Sequence, residues 1–325
     1  MRNGGEHLCE AMASLVSQTF EDFEVIAVDD GSTDGSCAQL EKWTERDGRV
    51  RVVRQPPGGI VAALERARAE AAGRYLARMD ADDIAEPERL RAQVDLLEGD
   101  PTLAGSGCGV RYFPEKTVRG GARRYETWLN GLVTPDAIAA GVFVECPLAH
   151  PTFMLRSEAV AGVGGYRDRG WPEDYDLILR LWREGARLGK VPEVLHRWRE
   201  GEGRLSRTHA SYTPEAFLAC KLHHLTRSLL PDGREAVVWG AGPVGKTLAR
   251  ALQSHGRTVR AFVELDPRKI GQEIHGAPVL DTAAALDLRG PLHLAAVGQE
   301  GARSRITALL EGAGMTVLDD FAAIA

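Results

Sequence analysis

The chain has 325 residues, 44% apolar and 26% charged, with a net charge of −6. At roughly 100 to 200 residues per domain this length suggests two domains, and the acidic balance argues against a general nucleic-acid binder. Five scattered cysteines without a C-x-x-C pair fit neither a disulfide framework nor a zinc site, and no apolar run approaches the roughly 18 residues of a membrane span, so a reducing cytoplasm is expected.

Residues 6 to 17 place Leu8, Met12, Leu15 and Val16 at helical spacing, and a short buried strand from Glu24 to Val28 then ends in Asp29-Asp30-Gly31-Ser32. A helix near 36 to 46, a strand from Val50 to Val53, an Ala-rich helix from 59 to 72 and a strand from Tyr75 to Met79 continue a β/α alternation, the order of a mostly parallel sheet. Pro87 suits the first turn of the next helix, whose Leu90, Val94 and Leu97 share a face before Pro101. From about 103 to 170 the periodicity fades, and Arg119-Gly120-Gly121-Ala122-Arg123-Arg124 reads as an exposed loop. A helix from Glu173 turns Tyr175, Ile178, Leu179 and Trp182 inward and stops at Gly185. A basic, aromatic stretch runs to Thr208, a helix spans 214 to 229, and Pro231-Asp232-Gly233 carries the linker signal. From Glu235 a second, smaller α/β pattern begins, with strands at 236–239, 258–264 and 293–297 and helices at 243–254 and 302–312.

Three acidic motifs lie along the first part: Asp29-Asp30-Gly31-Ser32-Thr33-Asp34, Asp80-Ala81-Asp82-Asp83 and Glu173-Asp174-Tyr175-Asp176. The first two follow strands, and open α/β sheets bind ligands at strand carboxyl ends. Asp80 and Asp82, two apart on extended chain, project to one side and suit Mg²⁺ or Mn²⁺; a capped, solvated loop is the competing explanation. Turn formation alone accounts for the first motif. The third sits at a helix start, where the dipole favours acids and keeps a carboxylate ionised, ready to take a proton from an attacking hydroxyl.

In this order the three motifs resemble the family 2 glycosyltransferases of the GT-A fold. Ser14-Leu15-Val16-Ser17-Gln18-Thr19-Phe20, Gly58-Gly59, Pro87-Glu88-Arg89-Leu90 and Gly164-Gly165-Tyr166 extend the resemblance over about residues 3 to 210. It implies an α/β GT-A-type nucleotide-diphospho-sugar transferase domain with a mixed, mostly parallel sheet. The implied enzyme is a metal-dependent hexosyltransferase that moves sugar with inversion from a nucleotide sugar, UDP-linked above others, to a hydroxyl of a glycan or lipid-linked acceptor in polysaccharide assembly. Asp29 and Asp30, with Ser32 and Gly59, are implied at the nucleoside. Asp80 and Asp82 are implied at the diphosphate and metal, and Asp174 is the implied catalytic base. Glu173 and His150 fall on the acceptor side, although a structural hydrogen bond would equally explain His150. Arg197 and Arg199, in Leu195-His196-Arg197-Trp198-Arg199, read either as a lid over the donor diphosphate or as a solvated basic loop. Family members open with an apolar strand, and Met1-Arg2-Asn3 starts as if cut inside its turn. An upstream start, or another segment filling that slot, is expected.

The domain boundaries drawn are 1–212 for the transferase, 213–232 for a helical connector and 233–325 for a Rossmann-like domain. In the last, Gly240, Gly242 and Gly245 follow a strand as G-x-G-x-x-G, and Glu264 ends the next strand at the distance expected of a ribose ligand. The same turn also spells G-x-x-x-x-G-K-T through Lys246 and Thr247, yet the domain is small for a P-loop ATPase. Binding of NAD or another nucleotide, and glycines kept only for packing, both remain open. A nucleotide-binding scaffold with an impaired transferase domain is the rival function. An enzyme without a membrane span that acts on lipid-linked acceptors would work at the inner face of the membrane.

Overall fold

A computed structural model describes residues 1–201, 203–299 and 301–325. The chain divides into two compact units, one made of Met1–Ala139 and Pro147–Thr213, the other of Ala140–Cys146 and Pro214–Ala325.

The first unit begins with α1 (Leu8–Val16), β1 (Val25–Asp29), α2 (Ser36–Arg46), β2 (Val50–Arg54) and α3 (Gly59–Glu70). β1 and β2 pair in parallel, Val25 opposite Val50, and their apolar residues close a core with Leu8, Met12 and Leu40. Next come β3 (Tyr75–Ala77), β4 (Ile84–Ala85), α4 (Arg89–Gly99), β5 (Leu103–Phe113), α5 (Gly120–Gly131), α6 (Pro135–Gly141), β6 (Met154–Arg156), α7 (Ser157–Gly162), α8 (Glu173–Arg183), β7 (Arg187–Arg199) and α9 (Leu205–Thr208). The β/α alternation thus lasts only to β3. The larger sheet has the order β3-β6-β5-β7-β4, in which β5 and β7 are parallel and the other pairs antiparallel.

Pro87 lies before its helix, not in it, because Arg89 opens α4. Residues 103 to 113, patternless in sequence, form the long central strand β5. Its glycines erase the alternation because neighbours crowd it: a Cβ on Gly105 would lie 2.2 Å from Leu155 Cδ2, and one on Gly109 2.7 Å from the Glu193 carbonyl oxygen. Residues 120 to 124 are helix, not loop, because Tyr125, Trp128 and Leu129 recur at helical spacing and pack on Val110, Tyr112 and Trp198 of β5 and β7. The 195–199 segment is the end of β7, hydrogen-bonded to β5 on one side and to β4 on the other.

The second unit holds α10 (Pro214–Leu225), β8 (Ala236–Trp239), α11 (Pro243–Ser254), β9 (Val259–Val263), β10 (Glu273–Ile274), β11 (Ala277–Leu280), α12 (Thr282–Leu286), β12 (Leu292–Ala295), α13 (Ala302–Gly312) and β13 (Phe321–Ala323). Its sheet runs β10-β11-β9-β8-β12-β13 and is parallel except at β10–β11. β8 is flanked by β9 on one side and β12 on the other, so the chain reverses its direction of winding beside β8.

Gly245 lets α11 approach the end of β8, since a Cβ there would sit 1.8 Å from the Gly240 carbonyl oxygen. Gly245→Ala is therefore expected to destabilise the second unit by about 2 kcal/mol or more, an overpacking cost. Gly242, where a Cβ meets nothing within 4 Å, should tolerate alanine at a cost of at most about 1 kcal/mol for the weaker N-cap. Urea unfolding of the two variants checks the contrast, and equal losses would contradict it.

Candidate active site

β3 stops at Ala77 and the chain turns through Arg78–Asp83 before β4. The sequence placed Asp80 and Asp82 on extended chain; the structure places them on a turn and brings in Asp83 as well. One carboxylate oxygen from each of the three lies within 4.8 Å of the others. Burial first, then the charges of Asp83 and Asp80, pushes Asp82 up to about 6. Burial and then Asp80 push Asp83 up too. Asp80 moves the other way: burial opposes its charge, but Arg78 beside it, with Arg204 and His196, together hold it below the usual carboxylate range. Hard oxygen donors carrying unneutralised charge match the chemistry that a divalent cation requires.

Asp29 ends β1 and Asp30 follows it directly. Asp30 is buried and fully engaged: Gln55 Nε2 and the Gly58 amide donate to its Oδ1 at 2.7 Å each, and the Gly59 amide to Oδ2 at 2.9 Å. Burial opposes its charge, but these three donors prevail and lower its pKa. Gly59, at φ +83°, supplies the left-handed backbone that turns its amide to Asp30. Asp29 Oδ1 accepts from the Ser32 amide at 3.2 Å, and the Ser32 hydroxyl accepts from the Asn3 amide. The Met1 ammonium donates to the Val28 carbonyl at 2.6 Å and lies in the field of Asp30, Arg78, Asp29 and Asp80, so the first two acidic motifs surround one spot.

The third motif opens α8. Tyr212 donates its hydroxyl to Glu173 Oε2 at 2.6 Å, while Glu173 Oε1 lies 3.7 Å from His150 Nδ1. Asp174 Oδ2 is 3.9 Å from the same ring nitrogen. Burial pushes Glu173 up. Burial, reinforced by Arg78, holds His150 well below its usual range, so the ring is neutral, with Nε2 3.1 Å from the Tyr166 hydroxyl. Glu173 also feels Arg78 and Asp80, which ties this motif to the acidic loop. His150, Glu173 and Asp174 therefore stand together.

Arg197 and Arg199 do not form a lid, since both lie on a paired strand. Arg199 donates from Nε to the Asp82 carbonyl at 2.5 Å and from its backbone amide to Asp83 Oδ1 at 2.7 Å. Arg197 is exposed and stacks over Phe113 with its guanidinium carbon 4.7 Å from the ring centre. Arg78 and Tyr212 carry no signal in the sequence motifs, and Tyr166 stands in one without an assigned role. Arg78 is legible only as the one cation beside the second motif; the tyrosines are joined to their partners only by the fold.

In the second unit Gly240 takes φ +111° at the end of β8, and Gly242 is the N-cap of α11. Glu264 accepts from Lys269 Nζ at 2.8 Å. Gly240 and Gly245 are thus accounted for by backbone conformation and packing, whereas Gly242 faces open space.

Residues 1–162 match the family model described as Glycosyl transferase family 2. A putative glycosyltransferase, EpsE, of Bacillus subtilis (strain 168) is 32% identical over 211 residues, or 63% of this chain and 73% of that protein. The O-antigen biosynthesis glycosyltransferase WbnJ of Escherichia coli is 28% identical over 239 residues, 67% of this chain and 89% of WbnJ. Among solved structures, S. aureus TarS 1-349 in complex with UDP-GlcNAc is similar in fold with a TM-score of 0.57 at 18% identity, covering 78% of this chain and 70% of that one. The mannosyltransferase PcManGT from Pyrobaculum calidifontis, in complex with GDP-Man and Mn²⁺, gives a TM-score of 0.51 at 20% identity over 70% of this chain, which spans 60% of that longer one.

The raised Asp82 carboxyl has a pH consequence. A group whose folded pKa lies near 6, above its ordinary 3.8, adds stability below pH 4 that is lost as pH rises through about 6. Without divalent cation, Asp82→Asn should match the parent protein below about pH 4 and exceed it at pH 8 by about 1–3 kcal/mol, a rise of several °C in Tm. Melting curves at the two pH values decide it, and a variant less stable at pH 8 would overturn the electrostatic account.

Proposed function

The chain belongs to glycosyltransferase family 2 and is a glycosyltransferase with the α/β fold of that family; from this premise we propose that it transfers a sugar with inversion from a nucleotide-diphosphate donor to a hydroxyl acceptor during surface-polysaccharide assembly. The observation that carries this reading is the convergence of three acidic motifs around Arg78, each on a different element of the first unit. The names of the relatives, including an O-antigen transferase, support the polysaccharide assignment.

Asp29, Asp30, Ser32 and Gly59 form the rim for the nucleoside. Asp80 and Asp82 hold the divalent ion, Mg²⁺ or Mn²⁺, which when bound supplies neutralising charge for the leaving diphosphate; the neighbours solved with UDP-GlcNAc and with GDP-Man and Mn²⁺ support this choice of donor class and ion. Arg199 braces the Asp82 carbonyl, and Arg197 extends the same strand face as a fixed wall on the donor side.

Asp174 lies in the first turn of α8, where the dipole favours the ionised form. As the acceptor oxygen attacks the anomeric carbon and the nucleoside diphosphate departs, Asp174 takes the hydroxyl proton, so one displacement inverts the centre and no sugar-enzyme bond is needed. His150, neutral and next to both acids, cannot compete as a cation for Asp174 and orients the acceptor hydroxyl. Glu173, held by Tyr212, shapes the same side.

We read the second unit as Rossmann-like, with Gly240, Gly242, Gly245 and Glu264 as its candidate site for NAD or another nucleotide. The winding reversal beside β8 and the open space at Gly242 support that reading. Among the described residues no helix is long and apolar enough to cross a membrane, and a cytoplasmic enzyme reaching lipid-linked acceptors at the inner membrane face accords with it.

Asp174→Asn should lower turnover about 10²–10⁴-fold with UDP dissociation changed less than about threefold, measured on a panel containing UDP-GlcNAc and GDP-mannose with Mn²⁺; retained turnover would remove Asp174 as the base. The double variant Arg197→Ala/Arg199→Ala should raise donor KM about tenfold, the loss of a charged contact to the diphosphate side. An unchanged KM would take both arginines out of the donor site.

A further inference from the structure

Arg89 and His196 are 107 positions apart in the chain and are both completely buried. Neither has a part in the chemistry set out above. Arg89, at the first position of α4, is a guanidinium shut away from water, which is costly unless every donor finds a partner. Its Nη2 donates to the Arg78 carbonyl at 2.7 Å, its Nε to Gln93 Oε1 at 3.1 Å, and its Nη1 approaches Met79 Sδ and His196 Nδ1 at 3.4 Å each. Gln93 is itself pinned by the Thr152 carbonyl, to which its Nε2 donates at 2.9 Å.

Those contacts fix the imidazole. Because Arg89 has only donors, Nδ1 of His196 accepts, and the ring proton is left on Nε2. Nε2 then donates to Asp83 Oδ2 at 2.9 Å. Asp83 Oδ1 accepts from the Arg199 amide at 2.7 Å, so both oxygens of this buried carboxylate are occupied. Arg78 is the first residue of the acidic loop and Asp83 the last. A single buried arginine therefore touches one foot of the loop directly and the other through a histidine.

We propose that Arg89 and His196 are positioning residues that clamp both feet of the Arg78–Asp83 loop, with Asp83 as its anchored carboxylate, leaving Asp80 and Asp82 to face the divalent cation. The proposal rests on the cation reading of Asp80 and Asp82 given above. Without the clamp the three carboxylates, mutually repelling within 4.8 Å, would splay apart, and the cation would have to draw them together at the expense of its own binding. Residues that orient metal ligands commonly change affinity by about 10–100-fold when removed.

The test is Mn²⁺ binding to the full chain, followed by the electron paramagnetic resonance signal of free Mn²⁺, with and without UDP. His196→Ala should weaken Mn²⁺ binding about tenfold or more, while His196→Gln, whose amide can accept from Arg89 and donate to Asp83, should stay within about threefold of the parent. Should His196→Ala fail to fold, Arg89→Lys takes its place: it keeps the buried charge but reaches only one foot, and the same tenfold weakening is expected. Parental affinity in these variants, or a glutamine variant as weak as the alanine one, overturns the clamp. A parent protein that takes up no Mn²⁺ under either condition overturns the cation reading on which the clamp rests.

Discussion

Like charges confined within a few ångströms repel, and the Arg78–Asp83 loop confines three of them. Two kinds of support make that arrangement tenable: Arg78 neutralises part of the charge at Asp80, and β7 grips the loop by backbone and side chain. Much of the first unit follows from that grip. β4 is only two residues long, and it exists as a strand because β7 pairs with it where Ile84 meets Arg197. β5 must then run beside β7 for eleven residues, which it can do past the irregularity near Gly109 only because glycine leaves room for the Glu193 carbonyl.

The elements most legible in the sequence were those whose own residues carry the pattern. α2, α3, β1 and β2 are short apolar or Ala-rich runs in strict β/α alternation, so composition and order located them. β5 was invisible because Gly105, Gly107 and Gly109 remove the side chains from which alternation is read, and α5 was hidden behind two glycines and three arginines at its start. The acidic motifs were legible because each is contiguous. Arg89 and His196 were not, because no local spacing relates residues that meet only after a parallel strand pair has formed. Asp83 stood in plain view beside Asp82, but its difference from Asp82 is one of partners, which a sequence does not display.

Burial sorts the ionisable groups of the first unit into distinct chemical states. Asp30 is kept charged by three donors, Asp82 is left hungry for positive charge, and His150 and His196 are kept neutral. The two histidines differ in neighbourhood rather than in charge: one lies between the acids of α8 and Tyr166, the other between Arg89 and Asp83. A neutral ring can donate at one nitrogen and accept at the other, so each can link an acid to a second group without adding to the net charge.

The allocation of Ala140–Cys146 to the second unit bears on how the chain is made. Val142 and Phe143, both buried, lie in this segment, and the rest of the unit starts at Pro214, so they leave the ribosome some seventy residues before the remainder of their unit. At about 5–20 residues per second they wait several seconds uncovered. The two units are interleaved in sequence, and synthesis cannot finish one before beginning the other.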